Sequence, residues 1–175
     1  MQVLSRQRGV SLIEVLMAVL IFSVSLIGMA GLLMMATRSN QAAYLRTQVA
    51  FLAGNMADRM RANPAAVWDG SYNQTIPFSG TQNCQTASCT PDQLATADLA
   101  AWNSQLAAFL PKPGATIACS QTGITYTPSA NQVSMRPPYG GNCTMTITWS
   151  ERQTGDTVGT DSSAITQQFV WEFQP

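Results

Sequence analysis

Glu14 is the one charged residue in an apolar run that begins at Gly9 and ends at Ala36. The chain stays uncharged from Val15 to Thr37. At a rise of about 1.5 Å per residue, a helix of that length spans the roughly 30 Å hydrocarbon core of a membrane. A carboxylate inside such a helix costs about 2.5 to 3.5 kcal/mol on insertion scales, so we expect a specific partner to compensate Glu14.

Two other interpretations of this run need no specific partner for Glu14. Arg6 and Arg8 precede it, as in a secretory signal, but the apolar region of such a signal is about 7 to 15 residues long and ends in a small-residue cleavage site. This run is longer, and no A-x-A boundary ends it. A signal anchor that only tethers a domain explains the length of the run but not Glu14.

The other candidate chemistry lies in four cysteines that follow the run: Cys84, Cys89, Cys119 and Cys143. Because two arginines precede the apolar run, the positive-inside rule places the cysteines outside the cytoplasm, where disulfides persist. Two disulfides have three possible connectivities, of which we favour Cys84 with Cys89 and Cys119 with Cys143. A zinc site built from all four thiolates is the alternative, although the chain has no C-x-x-C pair.

Composition argues against several other functions. The chain has no histidine, which removes the commonest general base and the commonest metal ligand. Nine basic residues balance nine acidic ones, so no basic surface for nucleic acid is expected. Asp156 and Asp161 lack the spacing of a calcium loop. With no nucleophile elbow, phosphate loop or paired acid and base, we expect a protein without catalytic activity, cofactor or bound metal.

The stretch RGVSLIEVL at residues 8–16 resembles the class III signal of type IV pilins and pseudopilins. Such a signal has a short basic leader, a glycine at the cut, an apolar residue after it, and a glutamate fifth after the cut. The resemblance implies that a prepilin peptidase cleaves between Gly9 and Val10 on the cytoplasmic side of the membrane and that the new amine of Val10 is N-methylated. Family members usually begin with Phe, whereas this chain would begin with Val10.

The physical chemistry of the motif agrees with the resemblance. After cleavage Val10 carries a cationic amine, and Glu14 lies about 6 Å further along the helix axis. In a helical assembly, the amine of one subunit can lie beside the carboxylate of another, so that two charges in apolar surroundings neutralise each other. Such a pair sets the axial register of the subunits. The alternative is a Glu14 that simply sits in the headgroup region.

No proline occurs before Pro64, so a helix that begins near Val10 can continue to Asn63, where the residue before proline leaves the helical region. The result is a helix of about 50 residues, roughly 75 Å long. Its first half, 10–37, is apolar all round. Its second half, 38–63, is amphipathic, with an apolar face at Tyr44, Leu45, Val49, Leu52, Met56 and Met60.

Residues 42–66, which include the stretch MADRMRANP at 56–64, resemble the PilV-type minor pilins. The resemblance covers about the first 66 residues well and the rest only in general character. It implies a structural subunit that joins other minor pilins to prime assembly of a type IV pilus.

The part of the chain after Pro64 is predicted to begin as an irregular surface connection, anchored by the aromatic residues Trp68, Tyr72 and Phe78, with little regular structure until Thr90. Thr90, Pro91 and Gln93 then supply an N-cap, a first-turn proline and a capping box, which predict a second helix at about 91–109. A mobile loop is expected at 152–162, which is rich in Gly, Thr and Asp.

Alternating apolar residues predict strands at 143–149 and 165–173, each with one buried face. Shorter strands are expected at 116–120, 124–127 and 133–136. The economical arrangement is an α+β fold with a three- or four-stranded antiparallel sheet laid over the amphipathic half of the long helix, and with one extra helix. The resemblance implies that this fold is of the type IV pilin kind.

These features divide the chain into a cleaved leader at 1–9, a transmembrane and assembly helix at 10–37, and a periplasmic head at 38–175. The resemblance implies a minor pilin that spans the inner membrane once and then enters the pilus fibre at or near its tip, where it supports adhesion and twitching motility. The implied partners are prepilin peptidase, other minor pilins and the major pilin, and a tip adhesin is a further candidate. A minor pseudopilin of a type II secretion system is one alternative, and a membrane-tethered periplasmic binding module or enzyme is another.

Overall fold

The computed structural model describes residues 9–120, 139–152 and 164–175. In chain order, its helices and strands are α1 (Leu12–Ala62), α2 (Pro64–Trp68), β1 (Thr75–Ile76), α3 (Pro91–Phe109), β2 (Gly114–Cys119), β3 (Cys143–Arg152) and β4 (Ala164–Phe173). The leader up to Arg8, the strands expected at 124–127 and 133–136, and the loop expected after Arg152 lie outside the described residues. The predicted α+β architecture of one long helix, one extra helix and a small antiparallel sheet is confirmed.

The chain divides into two compact units, Met1–Gln41 and Ala42–Pro175. In the first unit, each described residue as far as Thr37 is exposed. The second unit has a single hydrophobic core, to which the C-terminal part of α1, the shorter helices and the sheet all contribute.

Helix α1 begins at Leu12, slightly later than the start near Val10 that the sequence predicts. The carbonyl of Ser11 accepts the first bonds, from the N–H groups of Glu14 at 3.0 Å and Val15 at 3.3 Å. Ser11 therefore occupies the capping position, and Glu14 lies in the first turn of the helix. The other end agrees with the prediction, because α1 ends at Ala62, directly before Asn63 and Pro64.

The amphipathic half of α1 buries one face in the core of the second unit. The buried residues recur at helical spacing and are Leu45, Val49, Leu52, Ala53, Met56, Ala57 and Met60. The prediction was wrong for Tyr44, which is 55% exposed. Residues follow one another at about 100° around a helix, so the position before Leu45 is turned away from the centre of the buried face.

Helix α3 begins with the predicted capping box. The N–H of Thr90 donates to Oε1 of Gln93 at 3.0 Å, and the N–H of Gln93 donates to Oγ1 of Thr90 at 3.4 Å. These two bonds satisfy two backbone donors that the helix itself cannot pair. Further along α3, the indole Nε1 of the buried Trp102 donates to the carbonyl of Leu52 at 3.0 Å, which ties α3 to α1.

The four strands form one antiparallel sheet in the order β1-β2-β3-β4. Strand β3 has the predicted alternation, with Cys143, Met145, Ile147 and Trp149 all buried. Strand β4 departs from it: Phe173 is buried, Phe169 and Trp171 are half-buried, and Ile165 is exposed. Among the described strands β4 pairs only with β3, and a strand at the end of a sheet is covered by fewer neighbours.

The predicted anchoring of the segment after Pro64 by aromatic residues is confirmed, because Tyr72 is buried and Trp68 and Phe78 pack against the core. The segment also contains a short helix and a two-residue strand that the sequence did not predict. Pro64 starts the short helix α2, since the fixed φ of proline suits the first helical position. Val67 and Tyr72 are buried, and β1 adds an edge strand to the sheet. Apolar side chains spaced too irregularly to form a periodic pattern therefore anchor this segment to the core.

Candidate assembly site

Gly9 and Val10, the residues predicted to flank the cut, are exposed and lie directly before the first turn of α1. No atom lies within 4 Å of the position that a Cβ on Gly9 would occupy. The bond between the two residues is therefore not covered by other described parts of the chain.

Three hydroxyl groups of the apolar helix, on Ser23, Ser25 and Thr37, are satisfied within the helix itself. Oγ of Ser23 donates to the carbonyl of Val19 at 2.7 Å, and Oγ of Ser25 donates to that of Ile21 at 2.8 Å. Thr37 at the end of the segment does the same with the carbonyl of Met34. These bonds allow hydroxyl side chains to face an apolar environment, because no donor is left without an acceptor.

Glu14 is different, because its carboxylate is the only charge between Gly9 and Thr37. Arg59 forms an ion pair with Asp98, and Asp58 forms one with Arg61, both far along the chain from Glu14. The position of Glu14 in the first turn of α1 is favourable for an anion, since the N-terminus of a helix carries partial positive charge. In apolar surroundings, this carboxylate still needs a cation from outside the segment.

One helix among the described residues, α1, is long and apolar enough to cross a membrane by length and composition. Its large apolar side chains from Leu12 to Met35 are all at least half exposed. Such a surface is stable only in lipid or against other apolar helices. A lipid environment and an assembly of helices both satisfy this requirement.

The second unit holds a polar cluster at the point where α1, α3 and the segment after α2 meet. Nη1 of Arg59 lies 2.9 Å from Oδ1 of Asp98, and the hydroxyl of Tyr72 donates to Oδ2 of the same carboxylate at 2.8 Å. Nδ2 of Asn63 donates to the carbonyl of Pro91 at 2.8 Å. Burial, together with the hydrogen bond to Asp98, raises the pKa of Tyr72 well above its usual range.

This cluster is not part of the sites predicted from the sequence. Asp98 lies on the buried face of α3, alongside Leu99 and Trp102. The sequence signal for the cluster is an acidic residue at a position where the helical spacing of α3 expects an apolar one. Because a buried charge is normally paired, such a residue indicates a partner. Its partner could not have been identified, because Arg59 is 39 residues away in the chain. The cluster fixes the position of α1 against α3 and has no group arranged for catalysis.

The four cysteines form two disulfides. Cys84 is bonded to Cys89 just before α3, with the Cα atoms 5.6 Å apart. Cys119 at the end of β2 is bonded to Cys143 at the start of β3, and the two residues are direct partners in the strand register. The first bond closes a short local loop, whereas the second joins two neighbouring strands.

Comparison with known proteins agrees with this architecture. Residues 31–100 match the family described as type IV pilin Tt1218, and residues 4–30 match the prokaryotic N-terminal methylation motif. No curated protein and no solved structure shows significant similarity to the chain. The two matched segments adjoin and together include Gly9, Val10, Glu14 and the whole of α1.

Pilins are structural subunits and not enzymes, in agreement with the expectation from the sequence. A prepilin methylation motif implies processing by prepilin peptidase and assembly with other pilins. The matches do not confirm the finer resemblance to PilV-type minor pilins. The long apolar helix, the small antiparallel sheet and the two family matches together show a type IV pilin-like subunit with an N-terminal methylation motif.

Proposed function

We propose that the chain is a minor pilin of a type IV pilus, a non-enzymatic subunit that primes pilus assembly with other minor pilins. Prepilin peptidase removes residues 1–9, and the new amine of Val10 is methylated. The mature subunit spans the inner membrane once through residues 10–37, with its head in the periplasm, and then passes into the fibre at or near the tip. There it supports adhesion and twitching motility.

The observation that carries this proposal is the lone carboxylate of Glu14 in the apolar part of a helix where Ser23, Ser25 and Thr37 bond to their own backbone. A tether would need no such charge, and an acid in hydrocarbon is unfavourable unless a cation meets it. The cation in our proposal is the amine of a neighbouring subunit. A subunit out of register would leave both charges unpaired, so the pair selects one axial position.

The test replaces Glu14 with glutamine in the full-length chain and measures the amount of protein in pili sheared from cells. We expect strong loss from the pilus fraction, with normal amounts in the membrane. Asp58→Asn is the matched control, because Asp58 is an exposed acid whose ion pair with Arg61 lies on the surface of α1. Wild-type amounts of Glu14→Gln protein in pili would contradict the role of the carboxylate and favour a simple tether.

A minor pseudopilin of a type II secretion system is the second candidate, because the N-terminal methylation motif is compatible with both systems. The two candidates differ in their partners. Crosslinking in intact cells followed by purification of the chain should recover the major pilin and other pilus subunits. Recovery of secretion-system pseudopilins instead would favour the second candidate.

A further inference from the structure

Strand β4 ends the sheet, which has the order β1-β2-β3-β4, so one of its edges faces no other strand among the described residues. The other edge pairs with β3 without a bulge, from Arg152 with Ala164 to Cys143 with Phe173. No hydrogen bond joins the outer edge of β4 to another described segment. Alternate backbone N–H and C=O groups along this edge are therefore left unpaired by the described parts of the chain. We name this row of backbone groups the free edge.

The free edge lacks the features that usually protect an exposed strand. Such strands are normally short, bulged, interrupted by proline or charged, because an unpaired strand is a template for another one. Strand β1 at the opposite side of the sheet follows this rule, since it has only 2 residues. Strand β4 has 10 residues, with no proline, lysine or arginine. Its one charge, on Glu172, already accepts a hydrogen bond from Nδ2 of Asn142 at 3.1 Å.

The side chains beside the free edge are only partly covered. Phe169 and Trp171 pack against the core but are half-buried. Val170 points to the opposite face of the sheet and is 56% exposed. Strand β3 has neighbours on both sides, and its core-side residues from Cys143 to Trp149 are all buried. One more strand beside β4 would cover Phe169 and Trp171 in the same way.

We infer that the free edge binds an extended, uncharged segment of another protein, which adds to the sheet as a further strand. Unpaired backbone groups that repeat along a strand are matched by the backbone of a second strand, and not by a helix or by lipid. The core-side residues of the segment are apolar, because they cover Phe169 and Trp171. Its other residues are uncharged, because the free edge offers no free charge to pair with them. The inference goes beyond the proposed function, since it holds for any assembly that the chain joins.

A second copy of this chain fits the free edge less well. Its β1 edge has 2 residues, too few to cover β4. Its β4 edge, paired in parallel and in register, places two Glu172 carboxylates opposite each other, which is unfavourable. The first test distinguishes other pairings of two β4 strands from a strand of another protein.

The first test places a photo-crosslinking residue at position 170 of the full-length chain in intact cells. Position 75 is the matched control, because Thr75 and Val170 are the exposed ends of one row across the sheet, with Thr116 and Thr146 between them. We expect position 170, and not position 75, to give a bond to an uncharged segment of another protein in which apolar and polar residues alternate. A bond to lipid, to a helix, within the chain or to a second copy would overturn the inference. So would the absence of a product from position 170.

The second test asks whether the captured segment pairs as a strand. The segment is added as a synthetic peptide to the purified full-length chain in detergent. Amide hydrogen exchange should slow at alternate residues of β4, because only those N–H groups point to the free edge. Methylation of alternate backbone nitrogens of the peptide should abolish binding in one register and preserve it in the other. A bound peptide that leaves exchange in β4 unchanged would refute strand addition.

The third test compares the affinity of this peptide for Val170→Lys and Thr75→Lys. Both positions are exposed, so both variants should keep the thermal midpoint of the wild-type chain. Lysine is a residue with which proteins block exposed edges, and we expect Val170→Lys to weaken binding by roughly tenfold or more. Thr75→Lys should bind as wild type does, because β1 lies at the other side of the sheet. Equal affinities of the two variants would contradict the inference.

Discussion

Arg59 on α1 and Asp98 on α3 form an ion pair with 2.9 Å between Nη1 and Oδ1. The side chain of Asp98 is only 12% exposed and that of Arg59 30%. The second oxygen of Asp98 accepts the hydroxyl of the buried Tyr72, and Nε of Arg59 donates to Oδ1 of Asn55 at 2.9 Å. Arg59 and Asp98 are therefore each held by two partners, and the group links the long helix to the rest of the head.

Removal of the carboxylate should destabilise the head strongly. Asp98→Ala leaves a partly buried guanidinium and a buried phenol without their acceptor, and we expect a loss of about 3 kcal/mol in the free energy of unfolding. Urea unfolding of the full-length chain in detergent, followed by tryptophan fluorescence, measures it. Asp58→Ala is the control, because that exposed ion pair should contribute less than about 1 kcal/mol. Similar effects of the two substitutions would contradict this account.

Alkaline pH should also destabilise the head through Tyr72. Burial and the bond to Asp98 raise the pKa of this phenol in the folded state, whereas an unfolded tyrosine loses its proton near about pH 10. The contribution of Tyr72 to stability is therefore constant below about pH 10 and is lost as pH rises from there towards the folded pKa. Burial shifts the pKa of Tyr139 in the same direction.

The variant Tyr72→Phe isolates this contribution. It should be less stable than wild type at neutral pH, because Asp98 loses a donor, and its urea midpoint should fall less steeply above about pH 10. Some decline should remain because of Tyr139. If the urea midpoints of wild type and variant fall equally with pH above about pH 10, the phenol of Tyr72 has the same pKa in the folded and unfolded states, and the prediction is wrong.

The two disulfides should differ in their effect on stability. Cys119 and Cys143 are 24 residues apart, whereas Cys84 and Cys89 are 5 apart. In the chain-entropy account, a disulfide that closes a longer loop restrains the unfolded chain more. Replacing Cys119 and Cys143 with alanines should therefore lower the free energy of unfolding by about 3 kcal/mol, and replacing Cys84 and Cys89 should lower it by about 2 kcal/mol. Urea unfolding of the two double variants tests the order. A greater loss from removing the Cys84–Cys89 bond would contradict it.

The sequence was most informative where a local pattern determines the structure. The capping box of Thr90 and Gln93 located α3, and the strict alternation from Cys143 to Trp149 located β3 and its buried face. The end of α1 followed from Pro64 alone. In each case the bonds or steric limits act between residues close in the chain, so the sequence contains all the information needed.

Other features depend on contacts between distant segments. Tyr44 and Leu45 were both assigned to the buried face of α1 because they are apolar and helically spaced. In the folded chain Leu45 is buried, whereas Tyr44 is exposed. The order in residues 64–76 accompanies burial of Val67 and Tyr72 in the core shared with α1, α3 and the sheet, and no periodic pattern in the sequence indicates it. The partners of Asp98 came together only in the folded chain.

The candidate site shows the same division. The positions of Gly9, Val10 and Glu14 before and within the first turn of a helix could be anticipated from the apolar run. The bonds from Ser23 and Ser25 to their own backbone were not anticipated, although they distinguish these two polar side chains from Glu14, which needs a partner.

The most direct measurement of the central claim is mass spectrometry of the N-terminal peptide of this chain isolated from sheared pili. Processing and assembly predict a peptide that begins at Val10 and carries an added methyl group on its amine. A chain in the pilus fraction that begins at Met1, or a processed chain found only in membranes and never in pili, would contradict the claim that a freed amine and Glu14 join subunits in a fibre.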